Sequence, residues 1–302
     1  MQRLGLCCLF KEAPIRFRTA TAKYVSTLPD ALEYLDGIIQ SNLDNLLLAV
    51  NYCGDHKIGA FRINSGLLPI YTHPKCGYHI DDLPNSKLIR TRFQTIKDQA
   101  HAKNIRLTFH PDQFVVLNSP NEDVVDKSIA DLEYHGLIAD LVGADVINIH
   151  AGGGYGDKPA ALKRFVENFS RLSGTVQAKL TVENDDRVYT PKELIPLCRE
   201  LQIPFVYDVH HHRCLPDGLT IKQATELALG TWNREPLFHV SSPKEGWKDP
   251  KPRLHHDFVD PNDIPDKWRA IDPLTIDIEA KAKEVAVERL QDQLKNMGWH
   301  LK

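Results

Sequence analysis

Short apolar runs alternate with amphipathic stretches along the whole chain. Eight of these runs have mostly apolar and β-branched interiors, which is typical of strands buried on both faces. They lie at residues 3–9, 58–63, 105–110, 145–150, 179–184, 204–210, 237–242 and 274–280. Helical spacing of apolar residues fills the intervals, and a last helix is expected near residues 283–297. The pattern predicts an α/β fold, a (β/α)8 TIM barrel, in which residues 1–302 form a single domain.

Two helix starts carry local signals. Ser119 is followed by a proline and then by Glu122, which predicts an N-cap at Ser119 with a capping box. Gly143 is the expected C-terminal stop of that helix. The sequence Thr190-Pro191-Lys192-Glu193 repeats the start signal and predicts a second capped helix.

Imidazole or carboxylate side chains close six successive predicted strands. The gaps between them are 40, 33, 25, 31 and 40 residues, and the six are His110, His150, Glu183, Asp208, His239 and Glu279. A parallel βαβ unit takes roughly 30 or more residues, so the six recur in step with the barrel, whose catalytic face lies at the C-terminal strand ends. Any one of them alone is more often structural, but together they predict a site for divalent metal ions.

Composition excludes some partners and locations. The 302 residues carry a formal net charge of −3, so no global basic field attracts nucleic acid, and local basic loops or bound cations would have to do so. No run of about 18 apolar residues and no signal peptide are present in the sequence, which predicts no membrane segment. The six cysteines lack CxxC pairing, which is typical of reduced thiols in a cytoplasmic protein.

The middle carboxylate of the series suits a bridging role. Glu183 could join two ions, and bridging carboxylates also lower the net charge of a metal cluster. The remaining ligands would divide into His110 and His150 for one ion, and Asp208, His239 and Glu279 for the other. Two adjacent ions can generate hydroxide and stabilise both oxygens of a phosphoryl displacement. Further imidazoles after Asp208 and in His255-His256-Asp257 could complete a third site.

Two segments offer aromatic and basic groups that suit a nucleic acid. Gln113 and Phe114 follow a predicted strand, where an exposed pair could wedge into a base stack. The alternative is that Phe114 packs under its own loop. Trp247 lies among basic residues at 243–253, a mixture that suits a nucleic-acid strand but also a flexible charged loop.

The glycine-rich segment 151–158 is a weaker signal. Its glycines would let the backbone approach a phosphate, with Tyr155 and Lys158 close by. The segment lacks the spacing of a P-loop, and a tight βα turn explains it equally well. Two unusually long polar connections, at about 64–82 and 243–263, also follow predicted strands at the face where barrels place function.

Seven segments in combination resemble the ultraviolet damage endonuclease family. They are FRINSGLLPIYTHP (61–74), FHPDQFVVLNSP (109–120), NIHAGGGYGDKPAALKRFVENF (148–169), VENDDR (182–187), YDVHHH (207–212), FHVSSPK (238–244) and IEAKAKE (278–284). The likeness covers nearly the whole chain. Two departures concern Leu237, where some members carry a lysine that can be carboxylated, and Leu6, where some carry tyrosine.

The resemblance implies a role for each matching residue. The six strand-end residues match the ligands of two central ions, and His211 and His255 match those of a third. The family commonly uses a cluster of two or three divalent ions; Mn²⁺ is the expected metal, with Zn²⁺ and Mg²⁺ as alternatives. His73 matches a further catalytic histidine beside Glu183 and His239, and Gln113 and Phe114 match the lesion-probing pair.

The resemblance also implies the reaction and the partner. The expected enzyme is a DNA repair endonuclease that cuts damaged double-stranded DNA immediately 5′ to cyclobutane pyrimidine dimers and 6-4 photoproducts, with abasic sites as a second substrate. A metal-dependent sugar isomerase on the same barrel is the alternative, because a fold does not fix a function. We expect a cytoplasmic monomer with no obligatory protein partner, associated with the nucleoid when it acts on DNA.

Overall fold

Eight parallel strands close a barrel in sequence order, and the last strand pairs with the first. The computed structural model describes residues 2–302. The strands are β1 (Gln2–Cys7), β2 (Ala60–Ile63), β3 (Arg106–Phe109), β4 (Val146–His150), β5 (Leu180–Glu183), β6 (Phe205–Asp208), β7 (Leu237–Val240) and β8 (Leu274–Ile278). The predicted (β/α)8 TIM barrel is therefore confirmed.

Within residues 2–302, an α-helix follows every strand except β7, whose connection to β8 contains 3₁₀ turns instead. The α-helices are α1 (Ala22–Val25), α2 (Ala31–Asp55), α3 (Ser86–Ala102), α4 (Glu122–Val142), α5 (Lys158–Phe169), α6 (Gly174–Lys179), α7 (Pro191–Leu201), α8 (Val209–Cys214), α9 (Ile221–Leu229) and α10 (Glu284–Asn296). Short 3₁₀ turns at Ile80–Asp82, Pro261–Asp263 and Asp266–Ala270 lie in the connections after β2 and β7. Among residues 2–302, none of these helices combines the length and the apolar character needed to cross a bilayer.

Apolar residues fill two separate regions of the barrel. The main core lies between the strands and the surrounding helices and contains Phe61 and Phe109, which are fully buried. A small second cluster is formed by Val146, Val206 and Leu237, near the N-terminal ends of their strands. Polar side chains are thereby left at the opposite, C-terminal end of the barrel interior. All six cysteines are free thiols, as predicted.

The start of α4 differs from the sequence prediction. The N-cap is Asn121, whose side chain accepts a hydrogen bond from the backbone N–H of Asp123 at 3.0 Å, so the prediction of Ser119 is wrong. The Ser119 hydroxyl instead accepts from the N–H of Asn121 at 3.1 Å and orders the turn before the helix. Gly143 does end the helix, in the left-handed conformation with φ of 76°.

Other predicted boundaries hold in part. The capping box of α7 is confirmed, because the N–H of Thr190 donates to Glu193 Oε2 at 2.9 Å. Several strands are shorter than predicted, so that His110 and Glu279 lie just beyond β3 and β8 rather than within them. The long connection at residues 8–21, between β1 and α1, is not predicted by the sequence pattern.

Candidate functional site

The six strand-end residues converge at the C-terminal mouth of the barrel. Each lies within one residue of the C-terminal end of a different strand, from β3 to β8, and parallel strands of a closed barrel end at the same face. Four sets of three candidate ligands bring their donor atoms within 4.8 Å of one another: His110, His150 and Glu183; Asp208, His239 and Glu279; His211, His255 and Glu279; and Glu183, Asp208 and His211. The predicted two-ion grouping and the predicted third group are thus all brought together.

Glu183 occupies the centre of this arrangement and is fully buried. Its Oε2 lies 3.1 Å from Nε2 of His110 and 3.1 Å from Nδ1 of His239. Its Oε1 lies 3.3 Å from Nδ1 of His211. The side-chain amide of Asn148 donates a further hydrogen bond to Oε2 at 2.5 Å. The two carboxylate oxygens therefore face different imidazoles, as a bridging ligand requires.

Attraction between these groups shifts their pKa values. Burial alone would raise the pKa of Glu183, but attraction to the positive charge of His239 holds it well below its usual range. Burial would likewise lower the pKa of His239, but Glu183 and Glu279 raise it to about 9. Burial does prevail at His150, whose pKa is lowered. The site thus combines ionised carboxylates, which attract positive charge, with a neutral imidazole.

Several buried oxygen and nitrogen atoms of the candidate ligands have no hydrogen-bond partner among residues 2–302. They are Oε1 of Glu183, Oδ2 of Asp208, Nδ1 of His150 and both ring nitrogens of His239. A buried polar atom without a partner costs free energy, and native proteins rarely leave such atoms clustered. Imidazole nitrogens and carboxylate oxygens are ligands that suit divalent first-row ions. The donor set therefore fits a divalent metal cluster.

Three consecutive histidines of α8 face three different environments. His211 meets Glu183 and completes the third candidate group. Nδ1 of His210 lies 3.2 Å from the carbonyl oxygen of Ser241, and its ring packs against those of Trp247 and His255. His212 contacts the Tyr207 hydroxyl at 2.7 Å and Asp217 at 3.0 Å, so both of its nitrogens are engaged away from the mouth.

The third candidate group contains His255 rather than its neighbour. His255 lies with its Nδ1 3.9 Å from Glu279 Oε2. His256 points elsewhere, because its Nδ1 accepts a hydrogen bond from the N–H of Phe258 at 2.9 Å. Asp257 belongs to none of the donor groups found among residues 2–302.

Three polar residues beneath the mouth are absent from the sequence prediction. Arg62 donates to Glu279 Oε1 at 2.7 Å, Asn148 supports Glu183, and Asp277 is a fully buried carboxylate beside His239. Each belongs to a strand of the barrel, and the last two lie two positions before a predicted ligand. Side chains two apart in a strand share a face. That alternation is the signal that could have found Asn148 and Asp277.

A cleft of about 980 Å³ leads from this centre to the predicted probing pair. Gln113, Phe114 and Tyr155 line it together with His150 and His211. Phe114 is 75% exposed, so the alternative that it packs under its own loop is wrong. Tyr155 is about half exposed and adopts a positive φ of 47°. An aromatic side chain therefore stands in solvent at the edge of the candidate centre.

The other predicted site residues lie farther from the clustered ligands. His73 accepts hydrogen bonds from the N–H groups of Lys75 and Cys76, both at 3.2 Å, and it belongs to none of the donor groups among residues 2–302. Lys158 pairs with Glu193 at 2.8 Å. Trp247 is 37% exposed, and its indole N–H donates to Asp263 at 2.8 Å.

A family model described as UV-endonuclease UvdE matches residues 2–299. This chain belongs to the UvdE family. It is therefore an endonuclease, a hydrolase of phosphodiester bonds. One relative, the UV DNA damage endonuclease of Bacillus velezensis, is 32% identical in an alignment of 298 positions that covers 95% of this chain and 91% of the relative. Another, from Bacillus cereus strain G9842, is 30% identical over 296 residues, with the same two coverages.

Solved structures agree with the assignment to the UvdE family. The crystal structure of SacUVDE matches with a TM-score of 0.87 and 28% identity, covering 99% of this chain and all (100%) of that one. Endonuclease IV from Thermus thermophilus has a TM-score of 0.62 at 16% identity, covering 97% of this chain and 99% of that one. D-psicose 3-epimerase from Clostridium cellulolyticum has a TM-score of 0.60 at 12% identity, and the match covers 99% of each chain. The last two show the fold alone, so family membership favours the nuclease over the sugar isomerase.

Proposed function

We propose that this protein is a divalent-metal-dependent DNA repair endonuclease that cuts immediately 5′ to ultraviolet photoproducts. Its substrates are damaged duplexes containing cyclobutane pyrimidine dimers or 6-4 photoproducts, and abasic sites are a second substrate. The observation that carries this proposal is the convergence of buried carboxylates and imidazoles around Glu183, beside a cleft that ends at Phe114. Relatives named UV DNA damage endonuclease support the choice of substrate.

The proposal assigns the clustered residues to three metal positions. One set is His110, His150 and Glu183, a second is Asp208, His239 and Glu279, and a third is His211, His255 and Glu279. Mn²⁺ is the favoured ion, with Zn²⁺ and Mg²⁺ as alternatives. When bound, such ions supply an activated water and offset negative charge on the phosphate and on the leaving 3′-oxygen. Oε2 of Glu183 faces His110 of the first set and His239 of the second, which keeps these two sets close. Oε1 faces His211 of the third set.

The exposed loop side chains would select the lesion. Phe114 has no covering partner over most of its ring, so it can enter a base stack without first breaking contacts of its own. A photodimer already weakens stacking, which lowers the cost of extruding the damaged bases. Gln113 would contact the bases beside it, while Tyr155, Lys158 and Trp247 would contact the DNA strand. His73, which lines the groove on the outer side of Phe114, is assigned a catalytic role by family resemblance alone.

A nicking assay tests the proposal directly. A duplex with one defined photodimer is incubated with protein and Mn²⁺, and its products are compared with those of the undamaged duplex. We expect a single nick immediately 5′ to the dimer, and loss of that nick in Glu183→Gln while binding to the damaged duplex remains. Glu167→Gln, on the exposed surface of α5, is the matched control. Cutting by Glu183→Gln at the wild-type rate would contradict the assigned site.

A rival function on the same barrel would respond differently to salt. A protein that tracks phosphates loses affinity for a duplex steeply as salt rises, because binding releases condensed counterions. A sugar isomerase has no reason to show such a steep loss of affinity for DNA with rising salt.

Four properties stay predictions: the cytoplasmic location, the association with the nucleoid, the monomeric state and the lack of an obligatory protein partner. Light scattering after size exclusion tests the monomeric state.

A further inference from the structure

Asp277 is a buried carboxylate that none of the sets of candidate ligands includes. It lies on β8, two positions before Glu279, and pairs in register with His239 on β7 and with Gly5 on β1. A β-carbon built on Gly5 would lie only 2.0 Å from Oδ1 of Asp277. The absence of a side chain at Gly5 therefore leaves the space that the carboxylate occupies.

No hydrogen bond within residues 2–302 satisfies this carboxylate. Neither oxygen of Asp277 has a hydrogen-bond partner there, although the side chain is fully buried. Arg62 comes no nearer than 4.0 Å and makes its closer contact, 2.7 Å, with Glu279. Burying a charge or a polar group without a partner is unfavourable. A buried carboxylate that makes no hydrogen bond of its own points to a role at the neighbouring site.

The nearest group is the ring of His239. Oδ2 of Asp277 lies 3.7 Å from Nε2 of that ring. The other ring nitrogen, Nδ1, faces Glu183 at 3.1 Å and Glu279 at 3.5 Å. The imidazole therefore has one edge toward the candidate ligands and the other toward Asp277. A carboxylate behind a metal-binding imidazole fixes the tautomer and the orientation of the ring and makes the ligand more basic.

We propose that Asp277 is a positioning residue that holds His239 with Nδ1 directed toward the candidate metal centre, and so increases its affinity for a divalent ion. Gly5 is part of the same arrangement, since any side chain there would displace the carboxylate of Asp277. This inference rests on the proposed metal dependence, although its test does not require DNA cleavage.

The test is titration of the metal-free protein with Mn²⁺ by calorimetry. Asp277→Asn keeps the shape of the side chain and removes its charge, and we expect Mn²⁺ affinity to fall about 10- to 100-fold, as for other residues that support a ligand. The melting temperature of the metal-free protein should not fall, because the carboxylate has no hydrogen bond to lose. Asp292→Asn is the matched control, since it makes the same change of charge on the exposed surface of α10, and Mn²⁺ affinity should be unchanged.

A second variant, at Gly5, displaces the carboxylate of Asp277 instead of removing its charge. Gly5→Ala keeps the charge of Asp277 but must push it away, so Mn²⁺ affinity should fall here too. Wild-type affinity in Asp277→Asn would overturn the inference, and so would a loss of affinity that merely parallels a loss of folding. If Asp277→Asn weakens Mn²⁺ binding while the wild-type protein cuts no photodimer, the inference stands and the proposed function fails.

Discussion

Replacing Glu284 by glutamine tests whether one buried carboxylate holds the loop that follows β1. Glu284 is the first residue of α10 and is only 1% exposed. Its Oε2 accepts a hydrogen bond from the N–H of Lys11 at 2.7 Å, and its Oε1 accepts from Glu12 at 2.7 Å and Ala13 at 2.9 Å. The residues it holds belong to the connection 8–21, at the same face as the candidate centre.

The cost of the substitution can be worked from these three bonds. A hydrogen bond to a charged group contributes about 1.5–3 kcal/mol, and a neutral one about 0.5–1.5 kcal/mol. Glutamine keeps one oxygen that can accept from two of the three backbone N–H groups, but it places its amide N–H₂ against the third. We therefore expect the free energy of unfolding to fall by roughly 3 kcal/mol. Unfolding entropy of about 2.1 cal/mol/K per residue converts this to a fall in melting temperature of about 5 °C for a chain of 302 residues.

The pH dependence of this effect has a definite sign. Burial alone would raise the pKa of Glu284, but the N–H groups of Lys11, Ala13 and Glu12 outweigh it and lower the pKa. A depressed pKa in the folded state stabilises the protein above the unfolded-state value, about 4.3, and that contribution is lost as pH falls through the folded value. The difference between wild type and Glu284→Gln should therefore be constant from pH 6 to 8 and shrink below about pH 4.

Thermal melting and limited trypsin digestion measure the two consequences. Wild type, Glu284→Gln and the surface control Glu167→Gln are melted in parallel, and the control should change by less than about 1 °C, because an exposed ion pair contributes little. Cleavage after Lys11, Arg16 or Arg18 should be faster in Glu284→Gln only. A variant that melts with wild type and resists trypsin equally would refute the idea that this carboxylate orders the loop.

Three further predictions follow from the site. Phe114→Ala should leave the melting temperature within about 1 °C, since the residue is 75% exposed. It should weaken binding to a photodimer duplex about 5- to 150-fold, because one lost stack costs about 1–3 kcal/mol, and equal affinity in a gel-shift titration would contradict this. Trp247→Phe should lower the free energy of unfolding, measured in urea, by about 1 kcal/mol, because the hydrogen bond from the indole N–H to Asp263 is lost. Its Mn²⁺ affinity should be unchanged. Mn²⁺ at 100 times its dissociation constant should stabilise the wild type by about 2.7 kcal/mol, and chelation or Glu183→Gln should abolish that gain in a melting assay.

The fold and the convergence of the six strand-end candidate ligands could be predicted because both depend on local order in the sequence. Each candidate closes an apolar run, and closure of a parallel barrel brings such ends together whatever the loops do. Glu183 and His239 were found in this way. Asp277 was not, although the alternation in LTIDIE places it on the same face as Glu279. Its role depends on the space left at Gly5, which only the closure between β8 and β1 brings next to it.

The remaining differences depend on contacts that are distant in sequence. Ser119 and Asn121 are both good N-cap residues, and which one caps α4 depends on the turn that leads out of the preceding loop. Likewise, three adjacent histidines give no hint of their separate roles. His212 is occupied by Tyr207, and by Asp217 from beyond the end of α8. The pattern alone indicates a histidine-rich site here, and the choice of His211 among the three comes from the family resemblance.

The short helix α8 makes the spacing of its histidines as important as their identity. Successive residues of a helix point about 100° apart, because a turn takes 3.6 residues. Deleting one residue between Asp208 and His211 would rotate all later rings together, so that the imidazole now facing Glu183 would swing away and a neighbour anchored in the interior would be pulled out. Variation in this segment should therefore consist of exchanges of one side chain for another and never of changes in length.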